Sequence, residues 1–329
     1  MNFKKIKLLP FFLIFLMSWI LFGWNYWNGD RDAYELFYSN PFLAFSEIEI
    51  SWIGLNLVFY FFAIEYQTFN IVISFFILIF YFHFFYKLGN GYIICTIVYL
   101  ILFFPVDYVL LRNTLAIGII LQGFLILLSE YSHRKKTYTV LVLLATTFHQ
   151  SSIMYLIFAL ARTDKLINTI NSLLIIAFIN LILAAAFAMK VAPEFIYQHL
   201  QLFPSSFRTG LVQSVVHLSV VIYVNLFILY LLKERQKLIK DLKIFIFVFN
   251  INIISLGFIV FYFESSLFVR YLRFFILINL IFLTSIWYKK YNIKNLFFLM
   301  LLSMFVFFKF NYPFLELTIV PLFANNLLF

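Results

Sequence analysis

Cysteine is almost missing from this chain of 329 residues. The one thiol, Cys95, lies in an apolar run, which excludes an intramolecular disulfide and any cysteine-built zinc or iron–sulfur centre. Charge is scarce too: 12% of the residues are charged, against about 25% in a soluble domain. With 9 Gly and 7 Pro, a collagen-like or low-complexity chain is also excluded. No glycine-rich loop ends in Gly-Lys-Ser/Thr and no His-x-x-x-His occurs. Neither nucleotide hydrolysis by this chain nor a metal site is expected, and no cofactor. What is abundant is apolar surface: 64% of the residues are hydrophobic, with 48 Phe and 21 Tyr. At about 20 apolar residues per crossing, the chain reads as an all-α polytopic membrane protein with about nine to eleven transmembrane helices plus re-entrant or broken segments. It is expected to form a single integral membrane domain over residues 1–329.

The net charge of +10 does not point to nucleic acid, because the basic residues fall in short clusters between apolar runs. Lys4, Lys5 and Lys7, Arg134 to Lys136, Lys233 to Lys243 and Lys289 to Lys294 read as cytoplasmic loops under the positive-inside rule. The basic start and apolar stretch from Leu8 to Gly23 run into Trp24-Asn25-Tyr26-Trp27 without a small-residue cleavage site, so an uncleaved first helix is expected. Further spans are read at Phe69–Tyr86, Tyr92–Val106, Asn113–Ser129, Leu166–Met189, Leu211–Leu232, Ile244–Phe263, Leu267–Tyr288 and Asn295–Phe310. Two stretches fit poorly. Ile50–Tyr66 is short and carries Trp52, Asn56 and Glu65; Tyr138–Ala161 is interrupted by Thr146, Thr147, His149, Gln150, Ser151 and Ser152. If the first is interfacial or re-entrant and the second goes in and comes back, 17 Lys and Arg lie inside and 7 outside, with a cytoplasmic N-terminus. Two short full crossings in each place are the alternative. A broken helix at membrane depth should line protein or a watery cavity. The outer loops are then about 25–49, with a local charge of −4, and 190–210.

The predicted outer helix ends gather four arginines, Arg112, Arg208, Arg270 and Arg273. Arginine suits bidentate phosphate recognition, and Arg270 and Arg273, three apart, share a helix face. The alternative is snorkelling to headgroups. His149, in a broken helix, is a candidate acid or base near neutral pH, or a histidine satisfied by a neighbouring carbonyl. Asp30, Asp32, Glu47 and Glu49 offer carboxylates for acid/base work or sugar binding, or simply a solvated acidic loop.

Three ordered pieces carry a resemblance. They are Asp32-Ala33-Tyr34 with Tyr38 and Glu49 following, Leu111-Arg112-Asn113-Thr114-Leu115-Ala116 opening a helix, and Leu144-Ala145-Thr146-Thr147-Phe148-His149-Gln150-Ser151-Ser152. Together they resemble the EpsG/Wzy family of bacterial polysaccharide polymerases, with Asn113 where the family usually has Gln, over about residues 30–157. Further on, only Arg270-Tyr271-Leu272-Arg273 is similar to a later family helix. The resemblance implies a helical membrane fold related to the GT-C glycosyltransferases. It also implies transfer of a growing glycan from undecaprenyl pyrophosphate onto the next lipid-linked unit, at the outer face of the cytoplasmic (inner) membrane. The implied partners are that lipid-linked glycan and the bilayer, with a chain-length regulator protein as a further candidate. On this footing Arg112, Arg270 and Arg273 are expected to hold the pyrophosphate, with Arg208 behind them. His149, Glu49 and Asp32 are expected on the acid/base or sugar side, and Tyr34 and Asn113 near substrate. The rival readings are a lipid-linked glycan transporter, although the cations stop at one face, a membrane acyltransferase using His149, and a non-catalytic export subunit.

Overall fold

The computed structural model describes residues 3–41, 49–88, 91–167, 169–188, 207–234, 239–264, 268–290 and 315–328, with scattered positions between 303 and 311. The chain is 81% helical with no strands among these residues, as expected where a bilayer offers the backbone no hydrogen-bond partner. It is an all-α polytopic membrane protein. Glu47, the span expected at Asn295–Phe310 (apart from a few scattered positions) and most of the loop 190–210 lie outside the described residues. By proximity the chain forms two compact units, Met1–Leu156 with Leu283–Phe329, and Ile157–Phe282.

The first unit holds α1 (Phe3–Gly23), α2 (Arg31–Ser39), α3 (Ile50–Phe61), α4 (Tyr66–Lys87), α5 (Tyr92–Leu102), α6 (Phe104–Asp107), α7 (Leu111–Leu128) and α8 (Arg134–Thr146). Helix α4 packs against α1, α5 and α7, and α7 runs along α8. The last contact is close because Gly123 has no side chain: a Cβ there would meet the Tyr138 ring at 2.7 Å. At 1.5 Å per residue, the 22 residues of α4 span about 33 Å. Helices α4 and α7 and the segment Gly210–Tyr230 of the second unit are long and apolar enough to cross a membrane, and Leu8–Gly23 is among the shorter apolar helices.

The span expected over Tyr92–Val106 breaks after Leu102, with Pro105 opening α6. Proline has no N–H to donate and its ring collides with the carbonyl four residues back. The span expected over Ile244–Phe263 also breaks, into a 3-10 turn Leu256–Phe258 and a short helix Phe261–Glu264. Asn180 bridges that break: its Nδ2 donates to Leu256 O at 3.2 Å and its Oδ1 accepts from Val260 N at 3.3 Å. One polar side chain thus pairs backbone groups the break has freed.

Helix ends leave carbonyls without partners, and α1 finds them on α4. Gln67 and Asn70 donate to Gly23 O at 2.6 and 3.1 Å, and the Trp19 indole donates to Ile71 O at 2.8 Å. Arg31, 8% exposed, ties α2 to this corner through Glu35, Gln67 and Asn25 O. The buried Asn25 amide donates to Pro321 O and Asn325 O, which ties on the helix Ile319–Ala324.

Helix α3 is 12 residues long, about 18 Å, and too short to span a hydrocarbon core of about 30 Å. Its C-terminus closes with Ala63 N on Tyr60 O and Ile64 N on Phe59 O. That is the two-bond Schellman end, which calls for a left-handed residue, usually glycine. Here alanine takes the position, with φ 50°.

In the second unit, the helix Phe207–Glu234 turns Leu211, Val215, Leu218, Ile222, Leu226 and Leu229 outward. It buries Gln213, Ser214, His217 and Asn225. The apolar stripe faces out and polar groups face in, the arrangement of a lipid-facing helix.

Candidate active site: a carboxylate between an arginine and a histidine

The break between α8 and the following 3-10 helix, Gln150–Leu160, builds the centre. The hydroxyls of Thr146 and Thr147 donate back to Val142 O and Leu144 O at 2.8 and 2.7 Å. Such back-bonding competes with the helical ladder and marks its end. The start of α3 is fastened to this break: Ser51 N donates to Thr147 O at 3.0 Å, and the two hydroxyls lie 2.7 Å apart.

The fastening brings Glu49, the N-cap of α3, over the opening N–H groups of the 3-10 helix. Its Oε1 accepts from Gln150 N at 2.9 Å and lies 3.3 Å from His149 Nδ1. Its Oε2 accepts from Arg112 Nη1 at 2.6 Å. Arg112 stands in the first turn of α7, where Thr114 donates to Asp107 O and Leu110 O and fixes the helix entry. Below the guanidinium lies the Tyr34 ring, its centroid 5.8 Å from Cζ, within cation–π range.

Electrostatics follows from this packing. Burial alone would raise the Glu49 carboxyl, but His149, the Arg112 charge and the Gln150 N–H together hold it at about 2. It is a carboxylate at neutral pH, which suits it as a hydrogen-bond acceptor from both neighbours. Burial pushes the Tyr34 hydroxyl up, with the Arg112 charge opposing. Tyr34 is therefore a neutral hydroxyl. Side-chain exposures of 24% for Arg112, 16% for Glu49 and 13% for His149 leave each partly open. Arg112 Nε has no hydrogen-bond partner among the described residues, so the guanidinium retains donor capacity beyond Glu49.

The structure brings together Tyr34, Glu49, Arg112 and His149 from the expected set. Asn113 is half-buried beside Arg112, whereas Asp32 is exposed on α2. Arg270 and Arg273 belong to the second unit, the former in the first turn of the helix Val269–Lys290 and the latter just past it, with Arg273 7% exposed. Arg208 lies in the first turn of Phe207–Glu234, and its side chain is outside the described residues. Among the described residues no group of three His, Cys, Asp or Glu is placed to hold a metal ion. Ser51 and Gln67 escaped sequence reading, because the contacts that recruit them join residues far apart in the chain. The Arg31–Glu35 pair was readable from its i,i+4 spacing.

The class defined by fold and site is an all-α membrane protein with an arginine–carboxylate–histidine cluster held on helix ends. The chain matches the EpsG family over residues 8–321 and belongs to that family. Membership suggests a polysaccharide-polymerase-like, glycosyl-transferring function in the membrane. No curated protein and no solved structure matches the chain.

Proposed function

We propose that this protein joins lipid-linked oligosaccharide repeat units, transferring the growing glycan from undecaprenyl pyrophosphate to the next unit at the outer face of the cytoplasmic membrane. The observation that carries the reading is the Glu49 carboxylate, 2.6 Å from Arg112 on one side and 3.3 Å from His149 on the other. A glycosyl transfer with a pyrophosphate leaving group needs positive charge where the phosphate departs and a base where the acceptor hydroxyl arrives.

In this reading Arg112 takes the pyrophosphate through its remaining donors. Glu49 accepts the Nδ1 proton of His149, so Nε2 presents its lone pair to the acceptor. The acceptor oxygen bonds to the anomeric carbon, the carbon–oxygen bond to phosphate breaks, and the acceptor proton passes to Nε2. Tyr34 supports Arg112 from below, Asn113 adds a neighbouring polar group, and Asp32 lies on the sugar side. Arg270 and Arg273, with Arg208, are substrate-binding arginines of the second unit in this proposal. The positive-inside count, 17 basic residues against 7, supports a cytoplasmic N-terminus. One integral membrane domain does the work, and a chain-length regulator protein is the expected partner.

The test is the surface-glycan size ladder of the host with the gene deleted. Loss of the ladder with single units still exported is the expected result. Loss of the single unit from the surface would favour transport, and an unchanged ladder would reject both readings.

A further inference from the structure

Helix α3 carries polar groups that the cluster does not use. Trp52 and Asn56 are four residues apart on one face, and each is 1% exposed. The Trp52 Nε1 and both the Nδ2 and the Oδ1 of Asn56 have no hydrogen-bond partner among the described residues. Buried amides and indole N–H groups are nearly always paired, because burial removes their water and must return something for it. Two orphaned neighbours on one helix face mark a place where a partner is missing. That face adjoins the cluster. The Trp52 ring is 5.8 Å from the Tyr34 ring, and Tyr34 lies beneath Arg112. Ser51, next to Trp52, is bonded to the break that holds His149. Ser152, three residues past His149, is likewise buried with an unpartnered Oγ.

We propose that the Trp52–Asn56 face of α3 is a saccharide subsite contiguous with Arg112, Glu49 and His149, taking hydroxyl or acetamido groups of a sugar in the repeat unit. The proposal rests on the polymerase reading and names the part of the substrate that this face takes. Two donors and one acceptor without net charge match a neutral group that both accepts and donates. An acetamido carbonyl takes the two N–H groups while its own N–H meets Asn56 Oδ1; a pair of hydroxyls does the same. A phosphate or carboxylate would set negative charge against Oδ1. The indole adds an apolar surface for the C–H face of the ring.

Without a sugar these atoms are closed over, so admission requires the C-terminal part of α3 to swing away while its start stays fastened through Ser51 and Glu49. The helix suits such a motion. Its outer residues Ile50, Val58, Tyr60 and Phe61 are exposed, and its C-terminal end turns on Ala63 at φ 50°, a conformation that alanine adopts at a cost.

The test is Asn56→Leu, which keeps the volume and removes both orphaned atoms, with thermal stability of the purified protein and the host glycan ladder read in parallel. A subsite predicts an unchanged or higher Tm together with polymer output reduced about tenfold or more. Asn56→Ser, which keeps a donor and an acceptor, should restore part of the ladder. A wild-type ladder from Asn56→Leu at raised Tm would overturn the proposal, since the amide would then be a mere defect. A lowered Tm would overturn it as well, because the amide would then be held by the protein itself. The polymerase reading fails separately, through an unchanged ladder on gene deletion.

Discussion

Replacing Glu49 by glutamine keeps the shape of the side chain and removes its charge, which isolates what the carboxylate does for Arg112 and His149. A carboxyl held at about 2 instead of 4.5 corresponds to about 3 kcal/mol at neutral pH, at about 1.4 kcal/mol per pH unit. The pair is only partly buried, 24% and 16% exposed, and glutamine can still accept from Gln150 N–H. The expected loss is therefore smaller, about 2 kcal/mol. For a chain of 329 residues that corresponds to a fall of about 3 °C in Tm. The pH dependence has a definite sign. The carboxyl is lowered on folding, so its contribution is fully present above about 4.5 and is lost as pH falls toward about 2. The Tm gap between wild type and Glu49→Gln, measured by thermal unfolding in lipid nanodiscs, should be constant from pH 7 to about 5 and should close below about 4.5. A gap below 1 °C at pH 7, or one that widens on acidification, would refute the argument that Arg112 and His149 hold this group ionised.

Arg112→Ala should abolish chain extension while the protein stays in the membrane, and Arg112→Lys should fail to restore more than about a tenth of it, because a point charge cannot reproduce the guanidinium fork; polymer of wild-type length from the alanine variant, read on the glycan ladder, would sink the assignment. Ala63→Gly should raise stability by about 1 kcal/mol, since glycine takes the left-handed position at the end of α3 without the Cβ conflict; an unchanged or lower Tm would count against that reading. Gly210→Ala should destabilise the second unit by about 2 kcal/mol or more, because a Cβ there would sit 2.6 Å from Tyr262 O and 2.8 Å from Phe263 Cα; wild-type thermal unfolding would show that the approach is looser than described.

Much of the helical architecture is legible in the apolar runs. Phe69–Tyr86 and Asn113–Ser129 correspond to α4 and α7 within a few residues, and the polar interruption at Thr146–Ser152 is a real helix break. Where reading fell short, the reason is physical. Pro105 was visible, yet Tyr92–Val106 is apolar apart from Thr96, and hydropathy does not register a missing N–H. The second break is bridged by Asn180, 76 residues before Leu256, a contact no local pattern announces. The same holds for the site. Arg112, His149, Tyr34 and Glu49 all stand out by residue type and motif, whereas the sequence leaves Glu49 level with Asp32 as a candidate carboxylate. Its distinction is positional: it meets Arg112 across 63 residues and Gln150 across 101.

On the proposed function, the Glu49 bridge also sets a condition on binding of the pyrophosphate. Arg112 and Glu49 together are neutral, so an approaching pyrophosphate sees less positive charge than a lone arginine would present. It gains most by sharing the guanidinium, whose donors outnumber those Glu49 uses, rather than by expelling the carboxylate into a site where it would stay buried and unpaired. Sharing keeps Glu49 on His149. In the proposed reaction a proton taken by Nε2 makes His149 an imidazolium 3.3 Å from the Glu49 carboxylate, a charge that the carboxylate favours. Breaking the bridge by Glu49→Gln should therefore reduce transfer more than it reduces retention of inorganic pyrophosphate by the purified protein. Pyrophosphate affinity falling in step with polymer output would place Glu49 in anion binding alone and detach it from the histidine.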